Sequence, residues 1–420
     1  MEAKKLKHIA SSLKHYRVAS GTADLSIYFA ELAFNLIKEN GYMFFITTNK
    51  FYNTGFGKPL RKYLLEKNIS HLIDFEQCEV FEDVLVSSVI LGVENKPMTA
   101  TNAFKFHRFY KLSHEEFKGE FTDKQRIFIS FEQCNLDENE WSFSTGKKAE
   151  LRKKLESFPK VKDIEGVSVY RGVTTGYNPA FIISDEQRDR LIEADPNNAH
   201  IIKNMLQGRN IRKWYYNESE ENMIFTRRGI NIKEYPIIEK HLCQYYEELK
   251  PKKTSADLSG RKPGNYKWFE ILDNTAYYPH FEKPEKIIWG LTADKWAFTL
   301  DTKQHYLPSN GYIMTSDTLP VRYLLGFLNS KVLHHYFGYI GVMTAGGAYT
   351  LKAATIEAMP IPAATTEQQA EIVALVDKIL SAKRSDTQAD TSETEKQIDT
   401  IVYNLFDLTP EEIELIEQVN

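Results

Sequence analysis

YMFFITT, residues Tyr42 to Thr48, decides the fold class. A short, nearly continuous apolar run of this kind predicts a strand buried on both faces, as a sheet between two helical layers requires. Upstream, residues 24–40 place Leu25, Tyr28, Phe29, Leu32, Ala33 and Leu36 on one helical face, and Gly41 stops that helix. Downstream, Pro59 suits the first turn of a helix carrying Leu60, Tyr63 and Leu64. Two further strands follow, ISHLIDFE (residues 69–76) and VSSVILGVE (residues 86–94), with a turn at residues 79–83 between them. That link is too short for a parallel crossover, so the pair is predicted antiparallel. Three strands and two helices make the end of an α/β sheet, not a whole one. An open apolar edge is an aggregation hazard, so either a partner covers it or the chain lacks its beginning.

The 420 residues are 42% hydrophobic and 26% charged, a globular profile with ample core material that excludes a largely disordered chain. No apolar run approaches a membrane span, and the basic N-terminus MEAKKLKHIASSLKHY has no apolar signal core. Cys78, Cys134 and Cys243 are far apart and odd in number, which gives neither a disulfide framework nor a metal knuckle; a reducing, cytoplasmic setting is the default expectation. The net charge of −4 is unevenly spread. Residues 365–420 hold 13 acidic and four basic side chains, a formal −9, which leaves +5 on the remainder. A mildly basic body with an acidic tail is compatible with a polyanion partner.

Residues 101–160 read as an irregular α/β connector rich in Phe, Lys and Glu. From Val161 the texture changes to short strands, turns and aromatics, including GVTTGYNPAFII (residues 172–183), LQGRNIRKWYY (residues 206–216), KIIWG (residues 286–290) and MPIP (residues 359–362). A helix over residues 322–337 follows, and residues 367–382 and 393–406 are predicted helices of the tail. Thr409-Pro410-Glu411-Glu412 is a capping box opening a last one. No His-Glu-x-x-His, paired-cysteine motif, P-loop or nucleophile elbow occurs, and His334 and His335 point to different faces of their helix, so no metal site is expected.

The ordered motifs GTADLSIYFAELAFNLIKENGYMFFITTNKF, FGKPLRKYLLE and IDFEQCEVFEDVLVSSVILGVE resemble adenine-specific DNA methyltransferases of the γ type, within them the single-chain type IIG restriction-modification enzymes. GVTTGYNPAFII, LQGRNIRKWYY, KIIWG and MPIP resemble the TaqI-like specificity domain that follows the catalytic domain there. The resemblance implies an α/β portion, residues 1–100, that is the C-terminal part of a Rossmann-like methyltransferase sheet. A connector (101–160), an α+β target recognition domain (161–364) and acidic C-terminal helices (365–420) would follow it. Two family motifs are absent: the glycine-bearing turn for S-adenosylmethionine and the Asn-Pro-Pro-Tyr that holds the flipped adenine. Asn178-Pro179-Ala180-Phe181 lacks the second proline and sits where the specificity domain begins, so it reads as a structural turn. Adenine N6 is a poor nucleophile and needs acceptors on its amino group and a donor in line. Hence S-adenosylmethionine is expected for the complete enzyme and none for this chain alone.

Phe81 matches the aromatic that packs on the flipped base in the family; the alternative is a core Phe closing a hairpin. Asp24 and Tyr28, near the family's active-site mouth, read better as a helix cap and a core aromatic. For DNA, residues 203–268 hold 14 basic and eight acidic side chains interleaved with Trp214, Tyr215, Tyr216, Tyr266 and Trp268. Arg209, Arg212, Lys213, Arg227, Arg228, Lys252, Lys253, Arg261 and Lys262 are the candidate contacts. Arginine suits guanine edges and phosphates, and lysine mostly phosphates. Arg209 and Arg212 stand out because LQGRNIR matches a family motif, although Arg209 could instead brace a loop. The expected partners are double-stranded DNA and an upstream methyltransferase half or a nuclease chain, with no membrane. The rival readings are a stand-alone specificity subunit recruiting separate catalytic chains, or one half of a split methyltransferase.

Overall fold

The computed structural model describes residues 13–20, 24–76, 78–81, 87–110, 112–122, 128–139, 141, 143, 147–254, 257–273, 277–344 and 347–418. The chain folds as two compact units, residues 1–146 with 340–348 and residues 147–339 with 349–420. The fold is mixed α/β.

In the first unit, helix α1 (Leu25–Leu36) leads into strand β1 (Tyr42–Thr48), then helix α2 (Lys58–Leu65), β2 (Lys67–Glu76), β3 (Ser88–Pro97) and β4 (Ala103–Tyr110). Helix α3 (His114–Thr122) and strand β5 (Ile129–Glu132) complete it. The strands make one sheet in the order β1-β3-β2-β4-β5. β3 is antiparallel to β1, with Ile46 opposite Ile90, and antiparallel to β2, with Leu72 opposite Leu91; the pairing predicted from the short link is the one found. β2 pairs β4 in parallel. The stretch read as a connector therefore supplies two strands of this sheet. Ile27, Phe34, Leu60, Leu64, Leu72, Leu91, Val93, Phe104 and Trp141 form the core under it.

β1 departs from the expectation of burial on both faces. Met43 is buried, but Tyr42, Phe44 and Ile46 on the opposite face are exposed, Phe44 at 61%. β1 is the sheet's terminal strand, and among the described residues nothing pairs its outer edge. On α1, Ile27, Tyr28, Ala30 and Phe34 are buried while Leu25, Phe29 and Leu36 are exposed. Apolar periodicity states which surface the sequence suits to burial; it does not say whether the covering element is present in the chain.

In the second unit, β12 (Lys286–Gly290) is the centre of a four-stranded antiparallel sheet in the order β13-β12-β14-β6, with β6 at Val167–Arg171, β13 at Thr299–Asp301 and β14 at Gly311–Ser316. Every residue of β12 is buried, as its KIIWG run predicts. A three-stranded sheet orders β7 (Ile182–Ser184), β11 (Glu221–Ile224) and β8 (Ile202–Asn204), and a tight hairpin joins β9 (Ile211–Arg212) to β10 (Tyr215–Tyr216). Phe181, Met223, Ile224, Ile238, Phe281, Ile288, Tyr306 and Ile313 share one core. Helices α4 (Lys147–Glu156), α5 (Asp185–Ala194), α6 (Pro236–Cys243), α7 (Val321–Leu328), α8 (Lys331–Ile340), α9 (Thr366–Ser385), α10 (Ser392–Leu405) and α11 (Pro410–Glu417) surround these sheets. Asn178 to Phe181 form one helical turn with Pro179 in its first turn and Thr175 Oγ1 donating to Asn178 Oδ1.

Gly326 marks where α7 meets α9. A Cβ there would lie 2.6 Å from Ile372 Cγ2, so only glycine lets the helices approach this closely. The acidic tail is tied to its own unit by ion pairs: Lys154 to Glu412 (2.8 Å), Lys213 to Glu395 (2.5 Å), Lys331 to Glu417 (2.9 Å), and Arg322 to Asp377. No helix among the described residues is long and apolar enough to cross a membrane.

Candidate nucleic-acid interface

The nine candidate cations separate into two groups. Arg209 pairs with Glu221 at 2.8 Å, Lys213 with Glu395, and Arg228 is half-buried near Glu270 with its Nη2 donating to Leu272 O. Arg261 is only 4% exposed. Its Nε donates to Leu249 O (2.8 Å), Nη1 to Thr175 O (2.8 Å) and Nη2 to Trp268 O (2.9 Å), while the guanidinium lies 4.6 Å over Tyr266. Burial pulls its pKa down to about 10. Arg261 is thus a brace of the fold, with no donor turned to solvent for a phosphate; here the geometry corrects the expectation from charge counting.

Arg212, Arg227, Lys252, Lys253 and Lys262 form the second group. Among the described residues none of them has a carboxylate within ion-pair distance. Arg212 Nη1 donates to Arg209 O and Ile211 O, which fixes its stem and leaves the charge uncompensated. The hairpin that presents Arg212 and Lys213 turns at Trp214, whose φ of 73° is in the left-handed region that a bulky residue rarely adopts. Trp214 is buried and its backbone N–H donates to Phe298 O, so packing imposes the strained turn. Arg209 meets Glu221 while 71% of its side chain stays exposed.

In the first unit, Phe81 is 44% exposed after the end of β2, and residues 82–86 that follow lie outside the described ones. Asp24 caps α1 by accepting from Ser26 N at 3.0 Å, and Tyr28 is buried with its hydroxyl toward Ser20 O; both are structural. The sequence reading missed a polar cluster at the carboxyl ends of β1 and β2. Asp74 is buried and accepts from Asn49 Nδ2 (3.1 Å) and from Arg108 Nε and Nη2 (3.1 and 3.0 Å). Burial raises the Asp74 pKa against the pull of Arg108. The available signal was an aspartate interrupting the apolar alternation of LIDFE. His334 and His335 turn to different tyrosines, Tyr349 and Tyr339. Among the described residues no group of three or more His, Cys, Asp or Glu could hold a metal ion.

Residues 203–361, which contain all nine cations, match the TaqI-like C-terminal specificity domain, and residues 1–81 match the Eco57I restriction-modification methylase. The chain carries a TaqI-like specificity domain. The type II restriction enzyme and methyltransferase RM.Eco57I of Escherichia coli is 23% identical over 441 residues, covering 94% of this chain and 44% of that protein. The type II methyltransferase M.BstVI of Geobacillus stearothermophilus is 20% identical over 427 residues, covering 96% of this chain and 71% of its own length. Among solved structures, the type IIL restriction-modification enzyme MmeI in complex with DNA shares the fold, with a TM-score of 0.65 at 14% identity, covering 99% of this chain and 54% of that one. The chain therefore spans about half the length of RM.Eco57I and MmeI. Arg212, Arg227, Lys252 and Lys253, which have no ion pair among the described residues, all lie within the specificity domain, as does the braced Arg261.

Proposed function

We propose that this chain acts within an adenine-N6 DNA methyltransferase of a restriction-modification system, of the type IIG kind, and that its own task is to bind duplex DNA and read a short sequence. One observation carries the reading: a methylase segment and a TaqI-like specificity domain stand in one chain, in that order. The cations with no carboxylate in ion-pair distance among the described residues, Arg212, Arg227, Lys252, Lys253 and Lys262, are the phosphate and base contacts; Arg209, Lys213 and Arg228 position loops around them.

The sheet of the first unit is the tail end of a Rossmann-like methyltransferase sheet. Two features support this: β1 and β2 both run antiparallel to the β3 strand between them, and β1 leaves its outer edge open beside exposed Leu25, Phe29, Leu36, Tyr42, Phe44 and Ile46. That surface suits an upstream half of the same sheet as partner. Ligands of open α/β sheets bind at the carboxyl ends of the strands, where Asp74 and Phe81 sit. Phe81 would stack on an extruded adenine there.

S-adenosylmethionine supplies the methyl group in the complete enzyme. The residues here do not fit it: the sequence has no glycine-bearing donor turn, and the Asp74 carboxylate is already engaged by Asn49 and Arg108. A stand-alone specificity subunit is the second reading, and the retained sheet, which a pure reader has no use for, weighs against it. The test has two arms with this chain alone. Its affinity for a mixed-sequence 30-base-pair duplex should fall roughly 500-fold between 50 and 200 mM salt, since five phosphate contacts give a slope near −4.5. Labelled S-adenosylmethionine should give no methyl incorporation into the same DNA. A flat salt response overturns the DNA reading, and incorporation that tracks the purified chain overturns the division of labour.

A further inference from the structure

Of the large apolar side chains that the described residues leave exposed, Leu258 alone is exposed at 100%. It stands in residues 257–262, which the fold ties firmly to residues 250–254. Pro251 bridges Arg261, Lys252 N donates to Arg261 O, and Arg261 N donates to Lys250 O, both at 3.0 Å. The buried Arg261 guanidinium ties the same point to Leu249, Thr175 and Trp268. Gly260 has φ +99°, and a Cβ there would meet Lys250 O at 2.5 Å, so the two limbs touch through backbone. Near the tip, Asp257 accepts from Lys253 N (2.7 Å) and from Thr254 N and Oγ1 (3.2 and 3.0 Å). Lys252, Lys253 and Lys262 flank the loop, and none has an acidic partner among the described residues.

Leu258 stands fully exposed beside this tied backbone, so ordering the chain there gains nothing from its burial. An apolar tip between free cations is complementary to a partner with an apolar interior between two anionic rails. Duplex DNA is such a partner: phosphates outside, stacked bases within, and apolar side chains do enter base steps.

We propose that Leu258 is a wedge which enters the duplex while Lys252, Lys253 and Lys262 hold the flanking phosphates. This rests on the DNA-binding reading and adds a distortion of the duplex at the loop. The placement inside the specificity domain favours DNA over an anionic lipid surface, which could take the same chemistry.

The test compares an intact 30-base-pair duplex with one carrying a central abasic site, using the full chain. An abasic site removes the cost of unstacking, so the wild type should bind it about tenfold more tightly. L258A should bind the two duplexes equally and keep the wild-type melting temperature. K252A/K253A should weaken both and preserve their ratio. Equal binding of the two duplexes by the wild type, or an unchanged ratio in L258A, overturns the wedge while leaving DNA binding intact. Loss of phosphatidylserine-vesicle binding in L258A, with no change on duplexes, would equally overturn it. Absence of salt-dependent binding to any duplex removes the DNA-binding reading itself.

Discussion

Asp399 offers a test of how the acidic tail is held. It lies on α10, is 6% exposed, and its Oδ1 accepts from the Lys331 N–H at 2.8 Å, capping the start of α8. Burial raises its pKa from an ordinary value near 3.8 to about 6, against the opposing pull of Lys213 and Lys331. A carboxyl raised in the folded state destabilises when ionised. The cost is absent below the ordinary value, grows as pH rises through this interval, and is complete above about 6. The two values differ by enough to make the full cost roughly 3 kcal/mol at pH 8. D399N keeps the acceptor for Lys331 and removes the charge, but adds an amide N–H₂ that needs partners of its own. The expected net gain at pH 8 is about 1–2 kcal/mol. Urea unfolding followed by tryptophan fluorescence at pH 8, 6 and 4 reads the difference between variant and wild type. The gain should shrink as pH falls and turn into a net cost of about 1 kcal/mol near pH 4, where the charge penalty has nearly gone and the amide penalty remains. A D399N chain that is no more stable at pH 8, or a difference independent of pH, would refute a buried ionised carboxylate at this site.

The salt slope distinguishes free cations from engaged ones: K252A/K253A should flatten it by about 2, whereas R209A and K213A should move it by less than about 0.5, as read by anisotropy from 50 to 200 mM salt. Lys286 and Asp301 are both fully buried and paired, with Lys286 Nζ also donating to Phe281 O at 2.7 Å. Burial favours the protonated acid, but the hydrogen bond from His305 and the charge of Lys286 outweigh it and hold Asp301 down to about 2. That contribution is present above the ordinary value and lost as pH falls through about 2. K286M should cost about 3–5 kcal/mol in urea unfolding at pH 7, because it strands a buried charge. At the α7–α9 crossing, G326A should cost about 1–2 kcal/mol, overpacking exceeding the gain in helix propensity, and I372A, which removes the Cγ2 in contact, should couple favourably to it in a double-mutant cycle.

Much of this architecture was legible in one dimension, and what was not shares a cause. The antiparallel β2–β3 pair followed from a link too short for a crossover, and the last tail helix from its cap, Thr409, which closes a capping box; the equivalent box at Thr365 went unread. The cation list did not survive intact, because a charge count cannot see partners far along the chain. Lys213 meets Glu395 at a separation of 182 residues, and Arg261 reaches Thr175 across 86. Asp74, Asn49 and Arg108 escaped notice for the same reason, each being unremarkable until the sheet brings the three strand ends together. Arg261 and Lys262 are adjacent in sequence, yet one is a buried brace and the other a free charge. The backbone bridge at Pro251 separates their roles, and nothing in the residue types does.

The four ion pairs that tie the acidic helices to the second unit also act as a brake on indiscriminate adhesion. Each sets a carboxylate of the tail against a lysine or arginine of the body, whose side chain stays between 27% and 37% exposed. For a sequence reader, grip on random DNA is a competitor of the target, since the relevant quantity is the ratio of the two affinities over a vast excess of wrong sites. By neutralising Lys154, Lys213, Arg322 and Lys331 internally, the tail lowers the background against which the remaining free cations are read. On the proposed DNA-reading function, the tail would work as an electrostatic filter, raising discrimination without touching a base.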